Sequence, residues 1–368
     1  MDFDLNEDQK MLSKTVASFA KKDSTVERFR KLRDADGDGW SREMWAQMGE
    51  LGWLGVSFPE SVGGFGGGFV EAGIILEQLG KSLVPEPYLS CAILGGYPIL
   101  LGGTPAQQQA WLAPMIEGKT AVALAWAERR SRFDPTRIET RATQEGSGWR
   151  LKGEKTFVLD GHAADQLVVS AQSPDGLALF VVNAADVQRR TLRLIDGRRG
   201  AHVALDVVVD ADRRLAAQPA AQVLARVLDY AAAATVAEAV GVAQTMLGMT
   251  TEYLKTREQF GAKIGSFQAL QHRAVEMYVE VELLRSIALE AMVRADQDGV
   301  ERERAISSAK LQLATGATMV SRQAIQLHGG IGVTDEHDIG LFFKRMHALS
   351  TIGGDESHHV ARYASLLD

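Results

Sequence analysis

Apolar residues recur at helical spacing over the first 118 residues. Met11, Leu12, Val16 and Phe19 fall on one face behind Asn6 and Gln9, a pair spaced as a capping box, so the pattern predicts a helix starting just after Asn6. Thr104-Pro105-Ala106-Gln107 repeats that grammar, with proline at the first helical position and glutamine placed to reach back to the cap. The most apolar run, YLSCAILGGYPILLGG (88–103), is too short to span a bilayer and contains Pro98 and four glycines, and it reads as a buried helix pair or turn. VGGFGGGF (62–69) lacks the Gly-Lys-Ser/Thr of a phosphate loop, does not fit G-x-G-x-x-G and has no strand–helix–strand frame. It reads as a flexible surface turn.

Near residue 119 the period changes from helical to alternating. TAVALAW (120–126), GWRLKGEKTFVL (148–159), QLVVSAQ (166–172), LALFVVN (177–183), RTLRLI (190–195) and HVALDVVV (202–209) are short, rich in β-branched residues and bounded by Gly, Asp or Pro. These six predicted strands have no helix-length insert between them, which points to antiparallel hairpins in a sandwich or barrel. The helical period returns over 219–255, 267–298 and 301–328, with two shorter runs near 337–347 and 355–367. The third long run stops at Gly329-Gly330, where glycine can take the left-handed conformation that closes a helix. The fold class is therefore multi-domain α+β: a helical domain over 1–118, a β domain over 119–211 and a helical domain over 212–368.

Composition adds limits on partners. With 46% apolar and 24% charged residues, the chain is that of a globular protein with a large core. A net charge of −7 argues against nucleic acid or an anionic membrane surface as partner. The single cysteine, Cys91, cannot form an internal disulfide, Cys/His metal spacings are absent so no metal site is expected, and the acidic start MDFDLNEDQK does not read as a secretory signal. A cytoplasmic location is expected. The basic clusters RFRKLR (28–33), ERRSR (128–132) and DGRRG (196–200) read as solvated faces, and the adjacent His358 and His359 point to different sides of a helix.

TREQFGAKIGSFQALQ (256–271) interrupts two long helical runs with Arg257, Phe260, Gly261 and Gly265. A guanidinium fork suits a pyrophosphate and an aromatic face suits an adenine, so one loop could hold both halves of a dinucleotide. The alternative is a helix hairpin with a salt-bridged arginine and a core phenylalanine.

The order helices, β domain, then TREQFGAKIGSFQALQHRAVEM and QLHGGIGVTDEHDIGLFFKRM (326–346) resembles the acyl-CoA dehydrogenase family over essentially the whole chain. The resemblance implies an N-terminal helical domain, a middle β-barrel and a C-terminal four-helix bundle at the core of a tetramer. It implies FAD as cofactor, an acyl-CoA thioester as the substrate of α,β-desaturation, and an electron-transfer flavoprotein as electron acceptor. In that family the R-x-x-F-G loop and the Q-x-x-G-G segment of one subunit grip FAD across an interface. The matching residues are Arg257, Phe260, Gln268, Gln326, Gly329 and Gly330.

The flavin-facing motifs depart from the family pattern. AWAERRSRFD (125–134) keeps Glu128 and Asp134, but Ala127 stands for a threonine and Phe133 for a serine. FVLDG (157–161) offers Phe157 to stack on the ring, with Leu159 in place of a hydroxyl residue. The family's C-terminal glutamate base falls at Asp355, with Glu356 beside it, and the alternative helix position for a base falls near Ala231. Asp355 equally reads as the N-cap of the last helix. The chain resembles the shorter subunits of heterotetrameric dehydrogenases for pimeloyl-CoA or steroid-side-chain thioesters. The implied function is an FAD-dependent acyl-CoA dehydrogenase, homo- or heterotetrameric with the latter favoured. The alternatives are a non-catalytic partner that completes a sibling's FAD site, and an acyl-CoA oxidase-like flavoenzyme distinguished by its reactivity toward oxygen.

Overall fold

The computed structural model describes residues 5–367. The chain forms two compact units, one taking residues up to Lys31, Phe69–Val84 and Ala232 onward, the other taking Leu32–Gly68 and Pro85–Ala231. The first elements along the chain are α1 (Glu7–Lys22), α2 (Val26–Asp34), α3 (Arg42–Glu50) and α4 (Phe69–Gly80). A wide π-type helix over Tyr88–Gly96 runs into α5 (Tyr97–Gly102), followed by the short α6 (Pro105–Gln107) and α7 (Ala113–Ile116). The strands are β1 (Val122–Ala125), β2 (Arg141–Glu145), β3 (Gly148–Leu159), β4 (Gln166–Ser173), β5 (Gly176–Asn183), β6 (Gln188–Arg193), β7 (Arg199–Val209) and β8 (Arg214–Leu215). Then come α8 (Ala220–Thr256), a hairpin of β9 (Glu258–Gln259) and β10 (Ala262–Lys263), α9 (Gln268–Ala295), α10 (Val300–Gln312), α11 (Thr318–His328), α12 (Ile339–Thr351) and α13 (Glu356–Ser365).

In the sheet-containing unit the strands pair in the order β6-β7-β3-β2-β4-β5-β8, with β1 added alongside β4. The path ends at β6 and β8, so the expected barrel stays open along those two strands. The six predicted strands are present. The expectation of purely antiparallel pairing is corrected: β1 runs parallel to β4, with Val122 opposite Gln166, because the β2–β3 hairpin lies between them in sequence and does the work of a crossover. Strand β2 escaped the sequence reading because RATQE buries only Ala142 and so shows little apolar alternation. The core beneath the sheet is built from inward residues such as Leu151, Leu167, Val169, Phe180, Val182 and Val203.

The glycine-rich 62–69 stretch lies at the surface, with Phe65 exposed, and its backbone is pinned by hydrogen bonds. Phe65 N–H donates to Gly55 O at 3.1 Å, Gly66 N–H to Phe58 O at 2.8 Å and Gly67 N–H to Val56 O at 3.0 Å. A Cβ at Gly64 would stand 2.1 Å from Phe58 O, so glycine is required by a close backbone approach. The 88–103 run is buried almost throughout as helix. The charge clusters are likewise not all solvated. Arg199 is buried and donates to the carbonyls of Leu32 and Ala35, while Arg30 donates to Asp338 Oδ1 at 2.7 Å and Asp335 O at 2.7 Å.

The helical unit starts at the predicted capping box, in which Asn6 Oδ1 accepts from Gln9 N–H at 2.8 Å and Gln9 Oε1 from Asn6 N–H at 3.0 Å. Gln9 Nε2 also donates to Glu71 Oε1 at 2.7 Å, tying α1 to α4. Small residues let α4 and α8 approach closely: a Cβ at Gly241 would stand 1.9 Å from Glu77 O. In the C-terminal part α9 packs on α10 and α11, α11 on α12, and α10 on α13. No helix among the described residues is long and apolar enough to cross a membrane.

Candidate functional site

The out-of-place 256–271 stretch folds as a tight hairpin between α8 and α9. Gln259 pairs with Ala262 and Glu258 with Lys263, which leaves Phe260-Gly261 as a two-residue turn. Both turn residues have positive φ, +54° at Phe260 and +76° at Gly261, as in the type I′ turns that suit the twist of a hairpin. Glycine takes this conformation freely, but a bulky L-residue is strained there by roughly 1–2 kcal/mol. Yet the Phe260 ring is 94% exposed and meets only the edge of Phe267, 6.3 Å between centroids. Strain held to present an uncovered aromatic ring makes sense when the ring's partner lies outside the chain. Arg257, at the end of α8, and Gln268, at the start of α9, are also exposed. The sequence alternative of a salt-bridged arginine and a core phenylalanine is not what the hairpin displays: no ion pair of Arg257 is present among the described residues, and Phe260 is outside the core.

The second motif closes α11. Gly329 has φ +63° and ψ −142°, a combination open to glycine, and an added Cβ at Gly329 or Gly330 would meet nothing within 4 Å. The backbone here is bare and approachable, with Gln326 exposed one turn earlier. The two motifs belong to the same end of the helical unit. Tyr253, whose carbonyl accepts Arg257 N–H at 2.9 Å, stacks on His328, next to Gly329, with centroids 4.6 Å apart and planes 25° apart. Neither ring was singled out from the sequence. Their signal was position: Tyr253 lies one helical turn before Arg257, and His328 immediately before the glycine pair.

In the sheet unit, Phe157 sits at a bulge where the β3–β7 register shifts, with φ +54° and its ring half exposed. Such a strained, outward aromatic again fits a role in contact. Glu128 is different. Its carboxylate is buried and accepts from Lys155 Nζ at 2.7 Å, Thr140 N–H at 3.0 Å and Glu139 N–H at 2.5 Å. Burial pushes its pKa up, but the Lys155 ammonium and these N–H donors outweigh that and hold it below the usual carboxylate range. Burial lowers Lys155 to about 8. The Glu128 side chain is thus committed to the fold, and Ala127 O is taken by Thr156 N–H at 2.8 Å. Residues 127, 133 and 159 offer no side-chain hydroxyl. The residues that would meet the pyrophosphate and adenine of FAD fit that group; those that would hydrogen-bond its flavin ring are depleted.

Asp355 is the N-cap of α13, its Oδ1 accepting His358 N–H at 2.9 Å. Glu356 is exposed in the first turn, and Ala231, at the alternative base position, is buried and carries no acid. Around the cap lie two buried titratable groups. Lys310 Nζ donates to Leu349 O and Ile352 O, both at 2.8 Å, and burial lowers its pKa to about 7 against the pull of Asp355. His359 contacts Ser307 Oγ at 3.4 Å and Gly353 O at 3.2 Å, and burial, reinforced by the Lys310 charge, lowers it to about 3. As pH falls below about 6.5 the unfolded chain takes up this proton before the folded one, so stability is lost between about 6.5 and 3, at up to about 1.4 kcal/mol per pH unit. Measured against the parent, His359→Gln should gain stability steadily as pH falls through that window, while above pH 7 the difference between the two stays flat. A constant difference would show that His359 protonates equally in both states.

Comparison with known proteins identifies the family and the three domain types. Residues 6–119 match the acyl-CoA dehydrogenase N-terminal domain, 123–208 the middle domain and 221–365 the C-terminal domain. The probable acyl-CoA dehydrogenase YngJ of Bacillus subtilis is 30% identical over 359 residues, 92% of each chain. The acyl-CoA dehydrogenase FadE27 of Mycobacterium tuberculosis is 30% identical over 353 residues, 93% of this chain and 92% of that one. A chain of the ChsE4–ChsE5 complex from Mycobacterium tuberculosis superposes with a TM-score of 0.91 at 29% identity, covering 100% of this chain and 99% of its own. With the three domain types in order and relatives matched almost end to end, the chain belongs to the acyl-CoA dehydrogenase family of FAD-using oxidoreductases.

Proposed function

We propose that the chain is one subunit of a heterotetrameric acyl-CoA dehydrogenase, lending the pyrophosphate- and adenine-facing side of an FAD site to a neighbouring subunit while a sibling subunit supplies the catalytic base. The observation that carries this reading is Phe260, held in a strained turn with its ring uncovered. Arg257 would grip the pyrophosphate through its fork, Phe260 would lie against the adenine, Gln268 and Gln326 would add amide contacts, and the bare backbone of Gly329-Gly330 would admit close approach. When bound, FAD supplies the hydride acceptor for α,β-desaturation of an acyl-CoA thioester. An electron-transfer flavoprotein is the acceptor in this reading, and the cytoplasm its setting.

Two further features support a subunit that is not self-sufficient. Val275, Tyr278, Val279 and Leu283 are exposed at spacings of three and four along α9, an apolar stripe suited to another helix. Asp355 caps α13 through Oδ1, Glu356 is exposed, and hydroxyls are lacking at 127, 133 and 159. The test is the visible spectrum of the chain purified alone and with a co-expressed neighbour. The reading expects little or no flavin in the chain alone and a flavin band in the complex that bleaches with acyl-CoA. A stable flavin band that bleaches in the isolated chain would show that it has a complete site of its own.

A further inference from the structure

Three rings from three elements meet beside the two exposed motifs. Tyr253 lies near the end of α8, His328 is the last residue of α11, and His337 lies just before α12. The centroids of His328 and His337 are 4.7 Å apart and those of Tyr253 and His337 6.5 Å apart, completing a cluster with the Tyr253–His328 stack. His328 Nδ1 lies 2.7 Å from Ala324 O. A carbonyl can only accept, so Nδ1 carries the hydrogen and Nε2 is the bare nitrogen. That Nε2 is buried and has no partner among the described residues. Burial, together with the neighbouring His337, lowers the ring's pKa and keeps it neutral. His337 is fixed in turn: its Nδ1 accepts Ile339 N–H at 3.1 Å, and Arg30 holds its neighbours Asp335 and Asp338.

A buried nitrogen without a partner is a cost that an apolar ring would avoid, and it offsets the one bond from Nδ1–H to Ala324 O, so hydrogen bonding alone does not explain this histidine. A flat face does, since Tyr253 stacks on it with planes 25° apart while His337 abuts the ring at a tilt of 56° from the side. Tyr253 anchors the hairpin through the Arg257 N–H, while His328 is covalently followed by Gly329-Gly330. A shift of the stack therefore moves the arginine–phenylalanine turn relative to the bare glycine backbone. We propose that His328 is a positioning residue, acting through the ring face stacked on Tyr253, that fixes the two cofactor-facing segments relative to each other. The link to FAD rests on the function proposed above, whereas the mechanical coupling can be read on the chain alone.

The test compares His328→Leu, which fills the volume without a flat face, with His328→Phe, which keeps the face and removes both the orphan nitrogen and the Nδ1–H bond to Ala324 O. An aromatic contact of this kind is worth up to about a tenfold change in an equilibrium constant. In His328→Leu, amide exchange over 258–263 and 329–333 should speed up about tenfold, with exchange in α9 and α10 unchanged. FAD affinity in the co-expressed complex should fall by a similar factor. His328→Phe should keep parental exchange and affinity, since the stack on Tyr253 is retained. Unchanged exchange in His328→Leu, or Phe behaving like Leu, overturns the positioning role. Faster exchange with unchanged FAD affinity overturns its link to the cofactor; if Arg257→Ala also leaves affinity unchanged, the fault lies with the FAD assignment, and if Arg257→Ala weakens binding, that assignment stands and only the role of His328 falls.

Discussion

Arg345→Leu is expected to lower the melting temperature of the helical unit by on the order of 10 °C. Arg345 on α12 meets Glu238 on α8 as a two-pronged fork, Nε to Oε1 at 2.7 Å and Nη2 to Oε2 at 2.8 Å, with both side chains at most 4% exposed. Removing only the arginine strands a carboxylate in the interior, which typically costs about 3–5 kcal/mol, and in a unit of this size about 1 kcal/mol corresponds to roughly 2–4 °C. The pair itself is not a large net gain, because both charges were desolvated to form it. The double variant Glu238→Leu with Arg345→Leu should therefore recover most of the loss. A single variant that melts within about 2 °C of the parent would show that water or a neighbouring group compensates the stranded Glu238.

The second large effect is on the cofactor. Arg257→Ala should weaken FAD binding by the complex about 10- to 100-fold, the equivalent of a lost charge-assisted contact of roughly 1.5–3 kcal/mol. The helices should not notice, since the exposed Arg257 side chain makes no ion pair among the described residues and only its backbone is used in the hairpin. Full flavin occupancy with unchanged melting in this variant would remove the arginine from the cofactor site.

Much of the fold could be read from residue order because local chemistry and tertiary structure agree. The capping boxes at Asn6/Gln9 and Thr104/Gln107 form as their spacing predicts, and the strand 148–159 has those bounds. What escaped the sequence was set by contacts between distant segments. The parallel β1–β4 ladder depends on where the β2–β3 hairpin lands, and RATQE is a strand because its neighbours pair with it. Buried ions were hidden for the same reason. Nothing local distinguishes Lys155, Lys310, Arg199 or Arg345 from solvated charges until Glu128, the carbonyls ending α12, the 32–35 backbone or Glu238 is brought beside them.

The candidate site divides along the same line. The R-x-x-F-G residues stood out because their types are unusual between helices, and the Q-x-x-G-G residues through the family resemblance, but the φ of Phe260 and the stack behind it could not be read. Glu128 was singled out for its place in a motif, whereas its carboxylate is occupied by Lys155 and two backbone N–H groups. Asp355 carried two readings, and the contact seen in the structure is the cap on His358 N–H.

The sharpest test of the divided-labour account is the rate at which acyl-CoA bleaches the flavin of the co-expressed complex, measured by stopped flow for the parent and for Asp355→Asn. A base must reach the proton that it removes, and asparagine cannot take it. Asparagine can still cap α13, so the fold is preserved. The account predicts nearly the parental rate with FAD fully bound. A loss of several orders of magnitude, with FAD still bound and melting unchanged, would contradict it and make Asp355 the base.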